Sequence, residues 1–240
     1  MQFETKSPQK ISVKESFMRQ RRFVNDVSHE LRTPLTIICG YIDMLERYGL
    51  QDPEIFKEAV SSIKLSARNM QKLVEGLLFL ARADQGNQPL MKFPVELDEV
   101  LKNFVEAYPS PRLQISKLVP CKILADTEFL NRMFAALIDN ALKYSPPDSV
   151  VNIEMEVNGK IVTLKFIDQG IGIAKEDCEK IFDRFYRTDK ARTKVNAKEN
   201  SVGLGLSIAK WIAEHHDIKI SVQSEPGEGS TFILTCKTCE

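Results

Sequence analysis

VNDVSHELRTPLTIICGYIDML, residues Val24–Leu45, decides how the first third of the chain is read. Val24, Leu31, Ile38 and Leu45 recur every seven residues, with Leu35 and Ile42 beside them at i+4 positions. That spacing puts one apolar stripe along a long helix, of the kind that packs lengthwise against another helix. Downstream, RYGLQDPE (47–54) holds Gly49 and Pro53, a stop and a restart signal. A second stripe follows at Phe56, Ile63, Met70 and Leu77, flanked by Val60, Ala67, Val74 and Ala81. Two long helices joined by a short loop make an antiparallel hairpin. One hairpin buries only one face of each helix well. A second hairpin from another copy is therefore expected, giving a dimeric four-helix bundle over residues 21–86, with residues 1–20 as the tail of an upstream helix.

Within that first helix lies Ser28–Leu35, SHELRTPL. At about 100° per residue, His29 falls roughly 140° from Val24 around the helix, away from the seam and towards solvent. A lone exposed histidine is ordinarily a surface residue, but its neighbours here are not ordinary. Glu30 is adjacent, Arg32 and Thr33 follow, and Pro34 sits mid-helix. An interior proline costs about 3 kcal/mol unless compensated, and broken local rules mark functional positions. An imidazole with a free ring nitrogen is a nucleophile near neutral pH. A neighbouring carboxylate can orient it and take its proton.

Residues 84–92, DQGNQPLMK, lack apolar periodicity and read as a linker. Beyond them, over 87–240, the pattern is α+β. Helices are expected at Leu97–Tyr108, Thr127–Leu142 and 202–216, with Asp126 or Thr127 as an N-cap. Residues 113–124 look extended. VNIEMEV (151–157) and KIVTLKFID (160–168) flank Asn158-Gly159 as a hairpin, and IKISVQS (218–224) and STFILTC (230–236) form another strand pair.

Three further stretches carry chemistry. In FAALIDNALKYSP (134–146), Asn140 offers a neutral carbonyl oxygen of the kind a hard cation such as Mg²⁺ accepts, and Lys143 follows one turn on. In IDQGIGI (167–173), Asp168 ends a strand and can accept a bond from an amino group, while glycines allow close backbone approach. In VGLGLSIAKWIAEH (202–215), Gly203 and Gly205 open a helix whose first amides could hold phosphate. Between them FDRFYRTDKARTKVNAKENS (182–201) is polar and aperiodic, the signature of a functional lid or a disordered loop, with Phe182 and Phe185 to anchor its start.

Composition sets outer limits. Lys and Arg number 33 and Asp and Glu 33, for a net charge of zero. That argues against bulk nucleic-acid binding and against a polybasic membrane contact. No apolar run is long enough to span a bilayer, and MQFETKSPQK has no signal-peptide core. Five scattered cysteines make no disulfide framework, and Cys236-x-x-Cys239 lacks a second pair.

SHELRTPL, DNALKYSP, DQGIGI, FDRFYR and GLGLSIAK, in that order, resemble the H, N, G1, F and G2 boxes of two-component sensor histidine kinases, over about residues 15–238. The resemblance implies a dimerisation and histidine-phosphotransfer hairpin followed by an α/β sandwich ATP-binding domain of the gyrase, chaperone and histidine-kinase type. It implies that His29 accepts the phosphoryl group, that Glu30 assists proton removal, and that Thr33 helps hydrolyse the phosphate on a partner. It further implies Asn140 as the Mg²⁺ ligand, Lys143 and Tyr144 at the phosphates and nucleotide rim, and Asp168 on the adenine amino group beside Gly170 and Gly172. Arg187 would contact phosphate, and Gly203, Leu204, Gly205 and Leu206 would line its far side. The implied partners are ATP with Mg²⁺, a second copy and a response regulator receiver domain. The implied place is the cytoplasm, as part of a membrane-bound receptor whose sensor lies upstream. The family's first N-box asparagine is replaced by Ala136, and HHDIKI (215–220) stands where a glycine pair is usual. A nucleotide-binding relay without transfer, and a gyrase-type ATPase clamp, are rival readings. The intact motifs weigh against the first and the SHELRTPL hairpin against the second.

Overall fold

The computed structural model describes residues 13–48, 52–188 and 203–239, and the chain divides into two compact units, Met1–Gln71 and Lys72–Glu240. In the first unit, α1 spans Val13–Tyr48 and runs through Pro34, which has no N–H to offer the Glu30 carbonyl a turn earlier. Hydroxyls bond backwards along the same stretch: Ser28 Oγ donates to the Val24 carbonyl at 2.8 Å, Thr33 Oγ1 to that of His29 at 3.4 Å, and Thr36 Oγ1 to that of Arg32 at 2.9 Å. Such bonds compete with the helix ladder and favour bending. The helix α2 spans Pro53–Asp84. Asp52 caps it, with Oδ1 accepting from the N–H groups of Glu54 at 2.9 Å and Ile55 at 3.3 Å. Pro53 takes the first helical position, where its missing N–H costs nothing. Residues 49–51 of the expected connection, including Gly49, lie outside the described residues, as do 1–12.

Burial refines the two stripes. On α1, Leu31, Ile38 and Leu45 are half-buried, whereas Val24, Leu35 and Ile42 stand exposed, the first two by 54% and 53%. On α2 the buried column is Ala59, Ser66, Leu73 and Leu80, while Phe56 is exposed. The seven-residue period is as expected: Ile63, Met70 and Leu77 are half-buried like their counterparts on α1, and the fully buried column lies one helical turn beside them. Small residues at 59 and 66 occupy the closest-packed positions, and size alone is a poor guide to phase.

The second unit begins inside α2, upstream of the 84–92 stretch that composition marks as linker. Phe79 on the last turns of α2 meets Trp211 edge-on at 5.1 Å between ring centroids, and the Arg132 guanidinium lies 4.2 Å from the Phe79 centroid. Asp84 closes the helix with a bidentate pair to Arg184, at 2.6 and 2.8 Å. After it come β1 (Phe93–Glu96), α3 (Leu97–Ala107), β2 (Leu113–Lys117), β3 (Lys122–Ala125), α4 (Thr127–Tyr144), β4 (Val151–Asn158), β5 (Ile161–Asp168), a 3₁₀ turn at Lys180–Phe182, α5 (Gly205–His215), β6 (Lys219–Glu225) and β7 (Gly229–Lys237).

The main sheet has five strands in the order β2-β4-β5-β7-β6, with only the β2–β4 pair parallel. Strict alternation along β4, β5 and β7 explains it. Val151, Ile153 and Met155, then Val162, Leu164 and Phe166, then Phe232 and Leu234 are buried on one face. Helix α4 lays Leu130, Met133, Phe134, Leu137, Ile138 and Ala141 into the core, with the Phe134 and Phe166 rings 5.9 Å apart. The extended 113–124 stretch splits: β2 joins this sheet, while β3 pairs antiparallel with the short β1. The β4–β5 corner also differs from expectation. Asn158 pairs with Ile161, so the central turn residues are Gly159 and Lys160, with Gly159 at φ +61. That is the glycine-first requirement of a type II′ turn rather than an Asn-Gly turn. All five cysteines are free, and burial pushes the Cys121 and Cys236 thiols up to about 11, which keeps them unreactive.

HHDIKI forms the turn after α5. Asp217 takes a left-handed φ of +56. His216 is buried, with Nε2 accepting from the Asp126 N–H at 3.1 Å and Nδ1 bonded to the Ile212 carbonyl at 2.8 Å. The first bond requires neutral imidazole, and burial pushes the pKa below the ordinary 6.5. The contribution to stability is therefore present above that ordinary value and is lost as pH falls through the lowered one. Thermal unfolding followed by circular dichroism should move to lower temperature between about pH 7.5 and 5.5, and His216→Gln should flatten that slope.

Candidate functional site

His29 and Thr33 are exposed on α1, and Glu30 is half-buried between them. The exposure of His29 is what its helical phase demands: it lies off the seam, with its ring reachable from solvent. The proline below it and the hydroxyl back-bonds around it weaken the helix ladder here.

In the second unit a cleft opens between α4, the loop after β5 and the start of α5. Asn140 and Tyr144 reach it from the last turns of α4, Asp168 from the end of β5, Gly172 from the following loop and Leu206 from the first turn of α5. Tyr186, Arg187 and Thr188 close one side, and Ile171, Ile173 and Ile181 supply apolar wall. Flat apolar surfaces with a few placed polar groups suit a planar heterocycle carrying polar substituents.

Asp168 is 5% exposed. Its Oδ1 accepts from the Gly170 N–H at 2.8 Å and the Ser230 N–H at 3.1 Å. Burial pushes its pKa up, and those two donors pull it back down. The loop behind it is tightly referenced to its neighbours. Ile171 N–H donates to the Tyr144 carbonyl at 3.2 Å, Gly227 N–H to the Ile171 carbonyl at 2.9 Å, and Ile173 N–H to Ser224 Oγ at 2.8 Å. Two glycines are obligatory here. A Cβ on Gly170 would stand 2.8 Å from the Tyr144 carbonyl oxygen. One on Gly172, whose φ is +66, would stand 1.9 Å from that of Glu225.

Of the residues expected at a ligand site, Asn140, Tyr144, Asp168, Gly172, Arg187 and Leu206 line this one cleft, and Gly170 braces Asp168 from behind. Lys143 is half-buried with its ammonium 5.3 Å from the Tyr144 ring centroid, beside the cleft rather than on its wall. Gly203, buried Leu204 and Gly205 make the turn into α5. Gly203 has φ +71, and a Cβ there would lie 2.9 Å from Phe185 Cα. Phe185 itself has φ +62 and donates its N–H to the Gly203 carbonyl at 2.9 Å, so the two flanks of 189–202 are joined. The expected lid at 182–201 falls outside the described residues beyond Thr188. Phe182 anchors its base against Phe232. Arg187 Nε is buried in the wall with no hydrogen-bond partner among the described residues, a donor suited to an anionic group. Ser230, Thr188 and Tyr186 were not anticipated. Ser230 follows EPGEG, which reads in sequence only as a turn.

Residues 19–86 match the His Kinase A (phospho-acceptor) domain, and residues 125–239 match the histidine kinase-, DNA gyrase B- and HSP90-like ATPase family. The chain belongs to the sensor histidine kinases. It is 38% identical over 229 residues to the sensor histidine kinase YkoH of Bacillus subtilis (strain 168), covering 92% of this chain and 48% of that one. It is 34% identical over 231 residues to the signal transduction histidine-protein kinase ArlS of Staphylococcus haemolyticus (strain JCSC1435), covering 94% and 50%. The chain thus spans about half the length of the curated relatives it matches. Among solved structures, the Acinetobacter baumannii histidine kinase AdeS aligns with a TM-score of 0.66 at 25% identity, covering 88% of this chain and 98% of that one. The histidine kinase ThkA, crystallised with the response regulator protein TrrA, shares the fold with a TM-score of 0.71 at 21% identity, covering 94% and 64%. Among the described residues no helix of this kinase-family chain is long and apolar enough to cross a membrane.

Gly172 and Gly159 have similar positive φ, but only Gly172 is crowded; a methyl added at Gly159 would meet nothing within 4 Å. Gly159→Ala should cost about 1 kcal/mol from φ alone, and Gly172→Ala more than about 2 kcal/mol, in urea unfolding.

Proposed function

We propose that this chain is the ATP-dependent autophosphorylating portion of a two-component sensor kinase. In this reading residues 21–86 form the dimerisation and phosphotransfer domain and 87–240 the ATP-binding domain. The observation that carries it is a conjunction: an exposed histidine beside a carboxylate in a helix of the phospho-acceptor type, and a cleft floored by a buried carboxylate in a domain of the ATPase type. Asp168 accepts from the adenine amino group, Ser230 and Gly172 border the base, and Tyr144 flanks its rim. Arg187, Lys143 and the amides at Gly203, Leu204, Gly205 and Leu206 meet the phosphates.

Among the described residues no group of three or more His, Cys, Asp or Glu side chains could hold a metal ion. A single neutral amide oxygen is nonetheless a fitting donor for Mg²⁺, which keeps waters and phosphate oxygens as its other ligands. Asn140 would hold it, and the ion would neutralise charge on the phosphates. The chain's own residues then do the positioning. A ring nitrogen of His29 attacks the γ-phosphorus, a P–N bond forms as the bond to the β–γ bridging oxygen breaks, and ADP leaves. Glu30 takes the ring proton. Orientation and charge stabilisation dominate such transfers.

The phosphoryl group then passes to an aspartate of a response regulator, and Thr33 supports hydrolysis of the regulator's phosphate. Exposed Val24, Leu35 and Ile42 are the surface on which a second copy completes the bundle. We place the chain on the cytoplasmic side of a membrane receptor. With γ-labelled ATP, His29→Ala should incorporate no label while binding nucleotide as the wild type does. Labelling retained in that variant would refute the assignment.

A further inference from the structure

We propose that Arg112, at the start of β2, is a positioning residue for the nucleotide cleft, acting through the C-terminal turn of α4. The guanidinium spreads over four oxygens. Nε donates to the Ser149 carbonyl at 2.8 Å and Nη1 to the Leu142 carbonyl at 3.1 Å. Nη2 donates to the Pro146 carbonyl at 2.7 Å and to Ser149 Oγ at 3.1 Å. None of these partners is charged, so the cation is held at the negative end of the α4 dipole rather than by a carboxylate.

The residues it holds flank those that serve the cleft. The last four carbonyls of a helix have no partner within it. In α4 one of these, Leu142, goes to Arg112, and another, Tyr144, accepts from Ile171 of the glycine loop. Asn140, Lys143 and Tyr144 lie on this same turn. The loop that follows, SPPDS (145–149), has two prolines and few N–H groups of its own. Ser149 N–H and Oγ both bond the Pro146 carbonyl, at 3.1 and 2.7 Å, and Arg112 fixes that same pair of residues. The fork geometry needed to reach carbonyls of three residues at once is available to arginine and not to lysine. Arg112 itself is not on the cleft wall.

This inference rests on the ATP reading for its functional consequence but not for its structural one, and the test separates them. Amide hydrogen exchange on Arg112→Ala and Arg112→Lys, without nucleotide, should show lost protection at Tyr144, Ser149 and Ile171, with the β4–β5 hairpin unchanged. Equilibrium titration with ATP should show Kd raised by about tenfold or more in Arg112→Ala, the equivalent of one charge-assisted bond, and by less in Arg112→Lys. Val162→Ala, a core change on β5 away from the cleft, should lower thermal stability while leaving ATP affinity unchanged. Unaltered exchange at Tyr144, Ser149 and Ile171 would overturn the proposal, as would an equal loss of ATP affinity in Val162→Ala. A wild type that binds no ATP would instead overturn the functional reading while the exchange result stood.

Discussion

The second unit is organised around one buried carboxylate. Asp168 ends β5, and its Oδ1 takes N–H groups from Gly170 and from Ser230, so one oxygen joins a strand end, a glycine turn and the start of β7. Burying a carboxylate is costly, and a partly satisfied one costs about 1–3 kcal/mol or more per lost partner. The backbone therefore has to bring donors close. Gly229, with φ +88, passes where a Cβ would stand 2.1 Å from the Asp168 carbonyl oxygen. From Gly170 the constraint spreads: Ile171 fixes the end of α4, and Ile173 fixes Ser224 on β6. The cleft is thus the space left by elements that must converge on this group, with the carboxylate available to a ligand that can donate.

A second question is why the compact units part inside α2 rather than at the glycine- and proline-bearing segment after it. The Asp84–Arg184 pair is bidentate, but its partners are 54% and 34% exposed, and such pairs contribute about 0.2–1 kcal/mol. Leu73, Phe79 and Leu80 are 1%, 4% and 1% exposed, and burying each contributes about 1.5–3 kcal/mol. Apolar packing therefore decides the boundary, helped by Gly76, where a methyl would lie 3.1 Å from Leu204 Cδ1. Composition identifies where a chain can bend, whereas burial identifies where it is held.

Much of this was legible in the chain itself. The strands β4, β5 and β7 and the helices α4 and α5 announce themselves because one face of each is continuous core. Asn140, Asp168 and Leu206 were findable because they sit at the ends of those elements, where side chains meet a cleft. What was not legible depends on register and phase. The Ala59–Ser66–Leu73–Leu80 column was hidden by larger apolar neighbours. The four-residue β1, with Pro94 inside it, has too few positions for a period to show. Ser230 becomes a site residue only because β7 pairs with β5 so that it faces Asp168, 62 residues away in sequence. Arg112 is invisible for the same reason, its partners lying 30 to 37 residues on.

The most direct test of the account is a comparison of nucleotides at Asp168. Inosine triphosphate differs from ATP at one edge of the base, where a carbonyl oxygen replaces the amino group that the buried carboxylate would accept from and N1 carries a proton. Isothermal titration of the chain should give an ITP affinity at least about tenfold weaker than that for ATP, since two acceptors would then face each other without a proton between them. Equal affinities for the two nucleotides would contradict the central role assigned to Asp168.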